Sequence, residues 1–138
     1  MAGPLSEAAR VFLSTCPVGT IATLRPDGRV RQTVVYFVLD GDRILISTEA
    51  KRGKARDVER TGWASFCVFG HAKPWPSLTV EGPARVIREG VAEPTARILA
   101  VIAGAPPTQP PSEDALARAG RVILEIEIAK VYGQSYVG

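Results

Sequence analysis

The sequence predicts a mainly β protein with inserted α-helices, in which six antiparallel strands form a small closed or nearly closed barrel. Short apolar or alternating runs recur along the chain, and Pro and Gly turn residues separate several of them. The segments with helical character are short and stand between those runs. The length of 138 residues and the hydrophobic fraction of 46% fit one domain with a modest core, over residues 1–138.

The first third of the chain predicts a short helix and a meander of three strands. A short helix is expected over residues 5–13, because Ser6 can cap it and because Leu5, Ala9 and Leu13 fall on one side of it. An Arg-Pro-Asp-Gly turn and an Asp-Gly-Asp turn then separate three strand patterns. These strands are expected at residues 18–25, 29–39 and 43–48, as an antiparallel meander.

The remaining elements follow from apolar periodicity and from proline. The last strand alternates clearly, with Val122 and Leu124 facing one way and Glu125 the other. Residues 70–76 are expected to form a loop, because two prolines bracket Trp75 and remove backbone donors. Strands are expected at 63–69, 78–88 and 121–132, helices at 51–60, 93–102 and 112–119, and irregular structure across the prolines of 105–111.

The second predicted strand is apolar on both faces, since residues 34–39 read Val-Val-Tyr-Phe-Val-Leu. A strand buried on both faces in so small a chain needs a cover from outside its own core. The partner subunit of a homodimer would supply that cover. The alternative is that helices of the same chain pack on the outer face.

Composition and charge argue against several classes of protein. The net charge of +3, with arginine more frequent than lysine, suits anionic ligands but is weak support for nucleic-acid binding. Cys16 and Cys67 lack a CxxC pattern and His71 is the only histidine, so we expect no metal site. No apolar run approaches the roughly 20 residues of a membrane-spanning helix. Because Glu7 and Arg10 would interrupt a signal-peptide core, we expect a cytoplasmic protein. From its charge and its short apolar runs we also expect it to bind neither membrane nor nucleic acid.

Positive charge is concentrated where the third strand gives way to a helix, in the segment STEAKRGK at residues 47–54. A helix N-terminus carries a partial positive charge, so cations in its first turn are unfavourable unless an anion binds there. The pattern therefore predicts a phosphate site, in which Glu49 has no evident place. The alternative is a solvated basic helix whose cations pair with Asp57 and Glu59. The residues of the predicted phosphate site are Lys51, Arg52 and Lys54, with the hydroxyls of Ser47 and Thr48 beside them.

A resemblance to a known family rests on four segments, in the order VGTIATLRPDGRVRQTVVYFVLDGDRILIST, KRGKARDVER, WPSLTVEGPARVI and RVILEIEIAKVYG. Together they span most of the chain. The sequence resembles the pyridoxamine 5'-phosphate oxidase-like, FMN-binding split-barrel superfamily, and within it the short actinobacterial branch that uses the deazaflavin coenzyme F-420. The resemblance implies a homodimer of six-stranded split barrels, with the cofactor in the groove between the subunits.

The resemblance also implies which residues bind the cofactor. In this family the ends of the second and third strands line the ring, and the basic helix start holds the phosphate. The loop before the fifth strand supplies a stacking and a polar contact, to the cofactor of its own subunit or of the partner. The implied residues are Gln32, Thr33, Val34, Ser47 and Thr48 for the ring, Lys51, Arg52 and Lys54 for the phosphate, and Trp75 and Ser77 from the loop.

The activity that the resemblance implies is reduction of a small unsaturated substrate by hydride transfer from reduced F-420. No residue stands out as a catalytic acid or base. The alternatives are an FMN-dependent oxidoreductase or flavin carrier, and a basic binding module without redox chemistry; the short, arginine-rich chain favours F-420 over FMN. The chain ends VYGQSYVG, without the basic, tryptophan-containing segment of pyridoxamine phosphate oxidases, so we do not expect that activity. His71 lies in the middle of the chain, unlike the C-terminal histidine of haem-binding relatives.

Overall fold

The computed structural model describes residues 3–134, which form one curled antiparallel sheet and four helices. The last four residues of the segment VYGQSYVG lie outside the described part of the chain. The helices are α1 (Glu7–Thr15), α2 (Gly53–Thr61), α3 (Ala92–Ala103) and α4 (Glu113–Arg118). The strands are β1 (Val18–Leu24), β2 (Val30–Tyr36), β3 (Val38–Asp40), β4 (Arg43–Glu49), β5 (Trp63–Phe69), β6 (Ser77–Ile87), β7 (Arg121–Glu127) and β8 (Lys130–Gln134).

The sheet has the strand order β2-β1-β5-β6-β7-β4-β3, and β8 also pairs with β6. β2 and β3 lie at opposite ends of this order, although Phe37 alone separates them in the chain. The sheet must therefore curl until its two ends meet, and β2 does approach β4. This arrangement confirms the predicted fold class, a mainly β, split antiparallel barrel with inserted helices.

The predicted three-stranded meander is wrong, because Phe37 interrupts the second strand. Phe37 is 1% exposed, and its ring meets that of Phe66 edge to face, with centroids 4.8 Å apart. Its backbone N–H donates to the Pro17 carbonyl at 3.3 Å. Before this residue the strand pairs with β1, and after it the chain pairs with β4. The two halves of the predicted strand thus belong to opposite ends of the sheet.

The last predicted strand also divides, at Ile128 and Ala129. β7 pairs with β4 and with the second half of β6, whereas β8 pairs with the first half of β6. The Ala129 N–H donates to the Glu81 carbonyl at 3.0 Å where the chain crosses. Gly82 permits this crossing, because a Cβ at that position would overlap the Glu127 carbonyl. Six predicted strands therefore correspond to eight observed ones.

The main core lies inside the curled sheet. α1 closes it with Ala9 and Leu13, and α2 with Ala55 and Val58, each 1% exposed. Full burial of one large apolar side chain stabilises the fold by about 1.5–3 kcal/mol, so this cluster is the principal source of stability. Its largest buried members are Phe37, Phe66, Ile21, Ile44, Ile46, Leu78, Leu124 and Ile126.

The outer surface of the sheet has a covered face, which lies on β4 and β7. There Leu45 and Ile123 pack against Val91, Ile98 and Leu116, which α3, its N-cap and α4 contribute. All five side chains are less than 9% exposed. The two helices therefore build a second, smaller core on the outside of the barrel.

The outer surface also has an open face, on β1, β2, β5, β6 and β8. Strand register places Val34, Thr20, Cys67, Thr79 and Tyr132 in one row across these strands. Directly opposed residues of antiparallel strands point to the same side of a sheet. No residue of β2 is fully buried, so the helices of this chain do not cover the outer side of that strand. The large apolar side chains that the open face exposes are Leu24, Val30, Val34, Tyr36, Trp63, Phe69 and Tyr132.

Candidate functional site

A cavity of about 500 Å³ lies where the open face meets the covered face, between β2, β4, the start of α2 and the helices α3 and α4. This volume falls within the range of about 300–1,000 Å³ that is typical of small-molecule sites. One part of the wall is apolar and another carries polar and cationic groups. The lining residues are Thr33, Val34, Val35, Tyr36, Ser47, Lys54, Thr95, Ile98, Leu99, Ile102, Pro111, Leu116 and Arg121.

Helix α2 begins at Gly53 rather than at Lys51, so only Lys54 of the predicted lysines and arginines lies in its first turn. Arg52 is the N-cap residue and its side chain makes no capping hydrogen bond. No acidic residue occupies the first turn. The N–H groups of this helix start therefore receive no acceptor from a capping side chain, and the local field favours an anion.

Lys54 is the cationic group that the helix start presents to the cavity. It is half-buried and forms no salt bridge with any residue between 3 and 134. Burial lowers the pKa of Lys54 below its ordinary value, and the positive charges of Arg52, Arg121 and Arg31 lower it further. An anion bound beside the ammonium would relieve both effects.

Arg121, at the start of β7, is a cavity residue that sequence reasoning missed. Its Nη2 donates to Ser47 Oγ at 2.8 Å, and its Cα is paired with that of Glu49 on β4. Arg121 and Ser47 are far apart in sequence, and only the pairing of β7 with β4 brings them together. The sequence would have indicated Arg121 as a site residue only if the last strand had been paired correctly with the strand that contains Ser47.

Arg31 lies beside the same helix start. Its Nε donates to Asp57 Oδ2 at 2.8 Å, and the guanidinium occupies the space that a Cβ at Gly53 would take. Asp57 is 1% exposed and also accepts a hydrogen bond from Thr23 Oγ1 at 2.8 Å and one from Arg60 at 3.3 Å. Burial alone would raise the pKa of Asp57, but the hydrogen bonds from Arg31 and Thr23 and the charge of Arg31 lower it overall. Asp57 therefore ties α2 to β1 and β2 and is not part of a solvated charge pattern.

Glu49 forms ion pairs with Lys51 and Arg52, the two cations that precede α2. Its carboxylate lies 3.3 Å from Lys51 Nζ and 3.2 Å from Arg52 Nη2. The hydrogen bond from Lys51 and the charges of Lys51 and Arg52 hold the pKa of Glu49 below its ordinary value. Neither Lys51 nor Arg52 lines the cavity, whereas Lys54 does.

The other predicted residues divide into two groups. Thr33, Val34 and Ser47 line the cavity together with Lys54. Outside it, Gln32 is exposed on the open face, and Thr48 is 4% exposed within β4. Trp75 and Ser77 belong to the β5–β6 connection and the start of β6, away from the cavity of their own chain. The indole of Trp75 is 56% exposed, and its backbone φ is 59°, in the left-handed region that non-glycine residues rarely adopt.

None of the helices within residues 3–134 combines the length and the apolar character that crossing a membrane requires. No group of three or more His, Cys, Asp or Glu side chains is arranged to hold a metal ion in this part of the chain. Cys16 and Cys67 are free, half-buried thiols, and His71 lies against Phe69 with ring centroids 5.1 Å apart.

The curled sheet and the cavity beside a basic helix start define a split-barrel protein, of the class whose fold binds flavin-type cofactors. The chain belongs to the pyridoxamine 5'-phosphate oxidase family, whose model matches residues 5–135. This confirms the resemblance to the pyridoxamine 5'-phosphate oxidase-like superfamily that the sequence indicated. A comparison with curated proteins finds no match.

Several solved structures share this fold. The conserved hypothetical protein Rv2991 from Mycobacterium tuberculosis has a TM-score of 0.79 at 24% identity, over 96% of this chain and 86% of that one. A protein described as F420 reductase has a TM-score of 0.76 at 22% identity, over 93% of this chain and 98% of that one. The FAD and heme binding protein from Mycobacterium smegmatis has a TM-score of 0.77 at 17% identity, over 99% of this chain and 73% of that one. At these identities the likeness supports the fold alone.

Proposed function

We propose that the protein binds a phosphate-bearing flavin-type cofactor in this cavity, with coenzyme F-420 as the favoured cofactor and FMN as the alternative, and that it acts as an oxidoreductase. The observation that carries the proposal is Lys54, a half-buried ammonium that lines the cavity at a helix N-terminus and has no carboxylate partner among residues 3–134. Membership of the family and the fold shared with a protein described as F420 reductase support this choice.

The residues of the cavity fit such a cofactor. Lys54, Arg121 and Ser47 would hold the phosphate, since they supply an ammonium, a guanidinium and a hydroxyl on one wall. The apolar part of the wall, with Val34, Ile98 and others, would hold the flat ring and exclude water. When bound, reduced F-420 supplies a hydride to an electron-poor double bond or carbonyl. The chain's own contribution is to orient the ring and the substrate against each other.

Lys51 and Arg52 have a weaker claim to the phosphate. Their side chains are 77% and 60% exposed, and both pair with Glu49. They would contact a ligand only by leaving that carboxylate, so we assign them a supporting role. The same pairing weakens the alternative of a nucleic-acid-binding module, because these cations already have a carboxylate partner.

We also propose that a second copy of the chain covers the open face. This face exposes large apolar side chains on several strands, among them the directly paired Leu24 and Val30, and exposed apolar surface of this kind marks interaction sites. Trp75 and Ser77 lie away from their own chain's cavity, and a partner subunit would bring such residues toward it. In a homodimer of this kind Gln32 would lie at the subunit interface.

Binding titrations with F-420 and with FMN test the proposal, with cofactor fluorescence and thermal stability as readouts. Lys54→Ala should weaken binding of the preferred cofactor at least about tenfold, which corresponds to about 1.4 kcal/mol. Arg85→Ala is the matched control, because it removes one positive charge at an exposed site outside the cavity. Binding of neither cofactor by the wild-type protein would overturn the proposed function.

The pH dependence of binding sharpens this test. The pKa of Lys54 is depressed in the free protein, so this ammonium loses its proton at a lower pH than an ordinary lysine, whose pKa is 10.5. Affinity for a phosphate-bearing ligand should therefore fall with rising pH in the wild type, below the pH at which a normal lysine titrates. Lys54→Ala should abolish that fall, and an unchanged pH profile would assign the effect to another group.

A further inference from the structure

The hydroxyl of Thr95, on α3, is a buried polar group. The residue is 5% exposed, and its Oγ1 makes no hydrogen bond with any residue of the described chain, 3–134. An unpaired hydroxyl in a buried site costs free energy, so structures rarely retain one without a reason. Thr95 also lines the cavity described above.

Other helical hydroxyls of the protein show what Thr95 does not do. Ser14 Oγ donates to the Arg10 carbonyl at 2.8 Å, and Thr61 Oγ1 donates to the Asp57 carbonyl at 2.9 Å. Each satisfies itself on the preceding turn of its own helix, which is the usual outcome for a serine or threonine within a helix. Thr95 sits on α3 beside the Val91 carbonyl four residues earlier, which accepts the backbone N–H of Thr95 and not its hydroxyl.

The position of Thr95 in the cavity wall is also distinctive. The described residues that α3, α4 and their connection contribute to this wall are Thr95, Ile98, Leu99, Ile102, Pro111 and Leu116. Thr95 is the one polar side chain in this set. The cationic groups of the cavity come instead from α2 and β7. On its α3–α4 side, a ligand with an anionic end at Lys54 and Arg121 would therefore meet apolar side chains and one residue that carries a hydroxyl, Thr95.

We propose that Thr95 is a specificity-determining residue, whose hydroxyl forms a hydrogen bond with a carbonyl oxygen or ring nitrogen on the uncharged, planar part of the ligand. This inference rests on the proposed function and deepens it. The α3–α4 segment then has two roles, since it covers β4 and β7 and also reads the polar edge of the bound ring. A ring that offers no acceptor or donor at this edge would bind less tightly.

Two substitutions test the role of the hydroxyl. Thr95→Val keeps the branched shape and removes the hydroxyl, whereas Thr95→Ser keeps the hydroxyl. Dissociation constants for F-420 and FMN are measured by fluorescence titration, together with the melting temperature of the cofactor-free protein. Thr95→Val should weaken binding of the preferred cofactor about five- to tenfold, which lies within the range expected for one neutral hydrogen bond. Thr95→Ser should stay within about twofold of the wild type.

The melting temperature separates a ligand-binding role from a structural one. Thr95→Val should leave the cofactor-free protein as stable as the wild type or more so, because it removes an unpaired buried hydroxyl. Thr61→Val is the matched control: it breaks a hydrogen bond within α2, away from the cavity, so it should lower the melting temperature and leave affinity unchanged.

The outcomes also separate this inference from the proposed function. Unchanged affinity in Thr95→Val, with normal binding by the wild type, overturns the role of Thr95 and leaves the proposed function standing. A lowered melting temperature of the cofactor-free Thr95→Val variant likewise overturns it, since the hydroxyl would then be structural. Failure of the wild type to bind either cofactor overturns both proposals.

Discussion

The covered and the open face of the sheet are stabilised in different ways. On the covered face, α3 and α4 bury Leu45 and Ile123 in a second apolar core. β2 leaves Val30 and Val34 exposed on the open face, and its other side is joined to α2 by the ion pair of Arg31 with the buried Asp57. The cavity lies at the boundary between the two. One half of this small protein is thus completed by its own helices, whereas the other half leaves large apolar side chains exposed.

The largest effect is expected from Asp57→Asn, which attacks the electrostatic tie between α2 and the open half. Asp57 is 1% exposed and accepts hydrogen bonds from Arg31, Thr23 and Arg60. Removing one partner of a buried ion pair costs about 3–5 kcal/mol, and we expect a loss of about 3 kcal/mol because Arg31 and Arg60 are partly exposed. Urea unfolding at pH 7 measures it, with the exposed Asp114→Asn as control.

The same variant gives a signed pH dependence. The pKa of Asp57 in the folded protein lies below its ordinary value of 3.8. Its contribution to stability is therefore full above pH 3.8 and is lost as the pH falls through the lower, folded pKa. The difference in unfolding free energy between wild type and Asp57→Asn should shrink in that acid range. A difference that stays constant from pH 7 to pH 3 would contradict the ion-pair explanation.

A somewhat smaller effect is expected when the apolar cover is weakened. Ile98 and Ile102 lie on the same helix, but Ile98 is 3% exposed and Ile102 is 49% exposed. Ile98→Ala should destabilise the protein by about 2 kcal/mol, the lower end of the range for such truncations, because the adjoining cavity lets the site relax. Ile102→Ala should change stability by no more than about 0.5 kcal/mol. Equal losses measured by urea unfolding would mean that the cover extends along the whole helix.

The sequence predicted the location of the strands well, because each strand carries its own apolar pattern. It did not predict where strands break, since Phe37 continues the apolar run of β2 and only its burial against Phe66 ends the pairing. The candidate site shows the same limit. Lys54 followed from the local helix start, whereas Arg121 joins the cavity through the pairing of β7 with β4. Contacts between distant segments decide both features, and local patterns do not encode them.

The direction of Lys51 and Arg52 was also not predicted, although the carboxylate that sets it is only two or three residues away in sequence. Both cations were expected to face a phosphate, but Glu49 lies within 3.3 Å of each and draws them away from the cavity wall. Glu49, for which the sequence suggested no role, therefore decides which cations stay available. Lys54 lies further along α2, lines the cavity, and forms no ion pair with the described part of the chain, residues 3–134.

The smallest expected effect on the folded subunit, and the sharpest test of the open face, comes from charge placed at Val30. Val30 is 58% exposed on the outer side of β2 and lies outside the cavity, and Val11 on α1 is 54% exposed, away from that face. Val30→Glu should leave subunit stability within about 0.5 kcal/mol, because the side chain remains solvated in the isolated chain. If a second copy covers the open face, the same change buries an unpaired carboxylate and should raise the dimer dissociation constant more than about tenfold.

Sedimentation velocity over a range of concentrations measures this dissociation constant, with Val11→Glu expected to dimerise like the wild type. A wild-type protein that stays monomeric at all concentrations, or a Val30→Glu variant that dimerises normally, would show that a second copy of the chain does not cover the open face.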